Sequence, residues 1–179
     1  MSLEHKAYLF DHQAFFSELR PLIENALRTE NSQELIRFID DNRAALKDPY
    51  EGNPLSSDWI SMIEFESPDQ YADFALTKYY DPSSDIGLGS GWQEVSQWLA
   101  RHPGAGSDPT LGSPIAVESR YFDPGKMGSY FESHKEVQHK LEDIRKLLEE
   151  NPGASILLAP LIELLSKASQ KGAGLYITF

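Results

Sequence analysis

The sequence predicts an α+β fold: one compact domain over residues 1–179, predominantly helical, with helices packed on a small sheet of N-terminal, central and C-terminal strands. Three observations carry this. Helical periodicity covers most of the chain, while strand-like segments are few and scattered, unlike the regular alternation of a doubly wound sheet. With 40% hydrophobic and 25% charged residues the chain has the apolar surface of a folded domain rather than of a disordered one. There is no cysteine, yet a chain of this size buries about 70% of its unfolded surface, so no disulfide or structural metal is needed to hold it together.

Lys6 to Phe10 reads as a short strand stopped by Asp11, a helix-capping residue. Phe15, Leu19, Leu22, Ile23 and Ala26 then share a helical face, and Pro21 either kinks that helix or opens a second one. Ser32 precedes a helix with Leu35, Ile36, Ile39 and Leu46 as its buried stripe, ended by Pro49. Residues 48–57, rich in Pro, Gly and Ser, form a loop and the candidate subdomain boundary. Trp59 to Phe65 fits either helix or strand. Ser67, Pro68 and Gln70 form a capping box that starts a helix running to about Tyr80, and Ser90 with Gln93 repeats the spacing.

After a loop from His102 to Pro114, Ile115 to Phe122 is β-branched and aromatic and is the expected central strand (115–122). Tyr130, His134, Val137, Leu141, Ile144 and Leu148 are spaced as the seam of a long helix ended by Asn151, Pro152 and Gly153. Leu161 to Ala168 gives a last apolar helix, and Leu175 to Phe179 (175–179) the C-terminal strand.

Charge bounds the function. The chain carries 16 Lys and Arg against 28 Asp and Glu, a formal −12, which argues against nucleic acid and anionic membrane as partners. The longest uncharged apolar stretch, Ile156 to Ile162, falls far short of the ~20 residues of a membrane span. The apolar run Ala7 to Phe10 is too short for a signal-peptide core, so a cytoplasmic location is expected. Residues 56–90 hold one cation, Lys78, against seven carboxylates, half of the net charge. If these converge they form a surface that attracts a basic partner. The candidate binding residues are therefore Asp58, Glu64, Glu66, Asp69, Asp73, Asp81 and Asp85, with Trp92 among the aromatics beside them.

No catalytic motif stands out. Gly87, Gly89 and Gly91 are spaced G-x-G-x-G, which is neither a dinucleotide fingerprint nor a P-loop, and no serine sits in a nucleophile elbow. His134 with Tyr130, one turn away on the expected helix, is the remaining candidate acid–base pair. His134 and His139, five residues apart, diverge by about 140° on a helix and do not chelate a common ion, so neither metal nor cofactor is expected. The sequence thus favours a non-catalytic interaction or regulatory module that uses an acidic, aromatic-bearing surface to bind a basic protein. The alternative is a small enzyme or ligand-binding protein with its pocket near Tyr130, His134 and the Gly87–Trp92 loop. The Tyr130 to Leu148 seam also allows a homo-oligomer.

Overall fold

The computed structural model describes residues 3–102 and 108–179, so part of the expected 102–114 loop lies outside the described residues. In Lys6–Phe10 (β1) alternate side chains face opposite ways. Asp11 ends the strand by capping His12–Glu18 (α1), its carboxylate accepting the Ala14 N–H at 3.1 Å. At Pro21 the chain opens a second helix, Arg20–Thr29 (α2), with proline in the first turn where its missing N–H costs nothing.

Gln33–Asn42 (α3) buries Leu35 and Ile39 and stops seven residues before Pro49, because a 3₁₀ turn over Arg43–Ala45 intervenes; Leu46 is buried beyond it. Ser32 makes no side-chain cap, and the Asn31 side chain accepts the Gln33 N–H instead. Trp59–Met62 is a single 3₁₀ turn whose buried indole donates to Asp40 at 3.0 Å.

Pro68–Leu76 (α4) begins as expected, with Ser67 Oγ accepting the Gln70 N–H at 3.2 Å, and ends before Tyr80. Trp92–Ala100 (α5) forms without a cap from Ser90.

Ser113–Pro114 (β2) comes next. The expected central strand 115–122 is not one strand: Ala116–Val117 (β3) and Arg120–Tyr121 (β4) fold back on each other as a separate hairpin, turning through Glu118 at φ +57°. The central part of the sheet comes instead from Ser129–Glu132 (β5). Tyr130 therefore lies on a strand, because Ser133 and Glu136 form a reciprocal capping box that fixes the start of the next helix, His134–Glu150 (α6). Ser155–Gln170 (α7) and Gly174–Thr178 (β6) complete the fold.

The sheet has the order β1-β6-β5-β2 with antiparallel neighbours throughout, and the C-terminal strand lies between β1 and β5 with every residue buried. Its register aligns Tyr8 with Tyr176 and Tyr176 with Phe131, so one face is aromatic and packs with Phe10, Phe15 and the side of the molecule formed by α1–α4. Ala7, Leu175 and Ile177 face the other way onto α5, α6 and α7. The apolar stripe of α6, Val137, Leu141 and Ile144, packs with Leu158, Leu161 and Leu165 of α7, so these seam residues are covered within the chain. Helices α3 and α4, on either side of the 48–57 loop, share one core. Among the described residues no helix is long and apolar enough to cross a membrane.

Candidate functional site

The seven carboxylates of residues 56–90 do not converge. Asp73 is fully buried, its Oδ1 2.6 Å from Lys126 Nζ. Asp81 pairs with Lys47 at 2.8 Å, and that ammonium with the Ser83 hydrogen bonds holds its carboxyl down at about 2. Asp85 accepts the Ala7 and Gly87 N–H groups at 3.0 and 2.8 Å, at the β1 edge of the sheet. Asp58 and Glu66 are exposed. Trp92 donates to the Leu3 carbonyl at 2.9 Å and packs on Phe179. Tyr71, Phe74, Tyr79 and Tyr80 are all buried. The shared acidic face of all seven is thus corrected to a smaller one.

What remains is a cleft of about 520 Å³ in which Glu64 and Asp69 are joined by Asp123, Tyr50 and Phe65. Its walls are tied down by specific bonds. Gln70 does not return to the Ser67 amide. Its Oε1 accepts the N–H groups of Glu64 and Phe65 at 3.0 and 2.9 Å and fixes the segment that carries both side chains. Asp69 accepts Arg120 Nη2 at 2.7 Å and the Asp123 N–H at 3.1 Å, linking α4 to the opposite wall. Asp123 in turn accepts the N–H groups of Lys126 and Gly128, closing the 123–128 turn. Lys126 then reaches Asp73 under that turn.

The rings are the unusual part. Phe65 is 76% exposed and Tyr50 58%, whereas most other aromatic rings of the chain lie in the core. Among the described residues, four that are not glycine hold positive φ: Glu30, Glu66, Glu118 and Met127. All lie around this face. Glu30 pairs with Arg120, Glu118 is in the hairpin of Arg120, Glu66 follows Phe65, and Met127 belongs to the Asp123 turn. Such conformations cost about 1–3 kcal/mol each and persist where surrounding structure imposes them. One guanidinium, Arg120, stands against the three carboxylates of the cleft and Glu30, so the face keeps a negative field.

The alternative pair is separated. Tyr130 sits on β5 with its ring against Phe179, while His134 opens α6 and lines a different cleft with His12. The Gly87–Trp92 loop is far from a cradle: it hydrogen-bonds along β1 between Gly89 and His5, and a Cβ on Gly87 would come within 2.7 Å of Lys6 Cα. Close approach explains that glycine. Among the described residues no group of three His, Asp or Glu side chains is placed to hold a metal ion.

No local signal in the sequence ties Asp123, Arg120 and Tyr50 to this cleft, because Asp123 and Arg120 lie more than 50 residues from Asp69 and Tyr50 sits in the Pro/Gly-rich 48–57 loop. The only local signal was Phe65 between two glutamates. Comparisons with protein-family models, with curated proteins and with solved structures match nothing.

Proposed function

We propose that this protein is a non-catalytic interaction module for a basic partner, and that the Tyr50–Phe65 cleft receives one lysine or arginine side chain of that partner. The observation that carries the reading is the pair of highly exposed rings lining a cleft with Glu64, Asp69 and Asp123. A cation over an aromatic face gains about 0.5–1 kcal/mol at exposed sites and about 2 when desolvated, and carboxylates around the rings add long-range attraction. The negative chain repels competing polyanions.

Titration calorimetry with an acetylated hexa-arginine peptide tests it. Phe65→Ala is expected to weaken binding roughly threefold. Glu64→Lys is expected to weaken it further, while reversal of the remote, exposed Glu150 to Lys leaves it nearly unchanged. Equal losses from Glu64→Lys and Glu150→Lys would show attraction to net charge alone and overturn the assignment.

A further inference from the structure

We propose a second site, independent of the first: the cleft of about 660 Å³ between the start of α1, the start of α6 and the turn joining α7 to β6 binds a small molecule through an oxyanion, phosphate or carboxylate. Its side chains invert the character of the chain. His12, His134, Lys135 and Lys171 line it, with Gln13 as a neutral donor. Asp11 is the one lining residue with a carboxylate, and its Oδ1 is already occupied by the Ala14 N–H. In a molecule of net −12, that is a local excess of cations around a concavity.

The histidines sharpen the point. His5 is satisfied at both nitrogens, by the Thr110 carbonyl at 2.7 Å and the Leu88 N–H at 3.2 Å, and His102 Nδ1 by the Trp98 carbonyl at 2.8 Å. Those two are structural. His12 and His134 line one cleft, and neither has a hydrogen-bond partner among the described residues; Nδ1 of His134 is also shut away from solvent. A polar atom left so costs about 1–3 kcal/mol.

His12 is nevertheless held in place. Its ring stacks on Phe16 at 5.8 Å and meets Phe10 and Phe15 edge-on. Gly174 keeps room for it, since a Cβ there would lie 2.9 Å from His12 Cβ and against the Glu132 carbonyl. A fixed imidazole at His12 and an unpartnered one at His134, beside two ammonium groups, are the chemistry that recognises an oxyanion. Burial holds the His12 pKa below its ordinary value; Glu136 and Asp11 act against that and Arg20 reinforces it. Glu136 is tied to Ser133 by its own hydrogen bonds.

The test is to follow the imidazole resonances by NMR while adding sodium phosphate, sodium acetate or sodium chloride at matched ionic strength. Saturable movement of His12 and His134, with His5 and His102 still, is expected for phosphate or acetate, and which of the two saturates names the oxyanion. Bound anion should raise the His12 pKa by about one unit. Lys171→Ser, an exposed change outside the core, should weaken saturation at least fivefold. Chloride reproducing the shifts, all histidines moving together, or Lys171→Ser leaving the titration unaltered would overturn the proposal.

Discussion

Replacing Lys126 by methionine removes the cation that compensates the most deeply buried carboxylate of the acidic segment. Asp73 has a side-chain exposure of 1% and Lys126 of 19%, with 2.6 Å between Nζ and Oδ1, and the second oxygen of Asp73 has no partner among the described residues. Around them stand Tyr8, Tyr80 and Tyr176, whose hydroxyls burial and the Asp73 charge push upward, Tyr8 to about 12. Breaking a buried pair on one side costs about 3–5 kcal/mol. Part of that is avoided if Asp73 takes up a proton, which burial already favours. The loss should therefore be near the upper figure at pH 8 and smaller at pH 5, and at about 2–4 °C per kcal/mol it lowers Tm by roughly 10–20 °C at the higher pH. Urea unfolding followed by tryptophan fluorescence at both pH values measures it, and adding Asp73→Asn to the variant should restore much of the stability. A cost below about 1 kcal/mol at both pH values, or one that does not change with pH, would refute the reasoning. The same variant should loosen the 123–128 turn, which forms one wall of the acidic cleft.

Two further outcomes follow from the geometry. Gly174→Ala sets a methyl group against the Glu132 carbonyl and 2.9 Å from His12 Cβ, both on fixed elements, and should cost about 1–3 kcal/mol in thermal unfolding. Burial raises the Glu132 carboxyl, with Lys140 opposing, so the folded chain holds that proton to higher pH than the unfolded chain does. Its effect is a stability gain as pH falls from its folded pKa toward about 4.3, lost again as pH rises. Asp81 is the opposite case: its contribution is present above the ordinary aspartate range near 4 and is lost as pH falls toward about 2. Glu132→Gln should therefore remove a stability gain that accrues as pH falls toward about 4.3 and leave the loss below about 4 in place, as measured by calorimetric Tm against pH for variant and parent.

The elements legible in the sequence were those written in local chemistry. Asp11, Ser67 and the apolar run that ends Lys6–Phe10 each act over three or four residues, and each has the expected structural result. Where two local signals compete, the structure follows one of them. Tyr130 fits a helical spacing to His134, but the Ser133–Glu136 box starts the helix after it. Ile115 to Phe122 has the composition of a strand, and the Glu118 turn divides it. The cleft was half legible: Glu64 and Asp69 came from the charge count, whereas Asp123 and Arg120 reach Asp69 from more than 50 residues away. Asp73 counted as surface charge in the sequence, and only the arrival of Lys126 from the opposite side of the fold turns it into a buried ion pair.

The most direct measurement is chemical-shift mapping on isotope-labelled protein titrated with acetyl-arginine methylamide. Perturbations confined to the amides of Glu64, Phe65, Asp69 and Asp123, together with the ring signals of Tyr50, are what a cation-receiving cleft predicts. Shifts spread over every acidic surface, or centred on Asp81 and Asp85 instead, would contradict it.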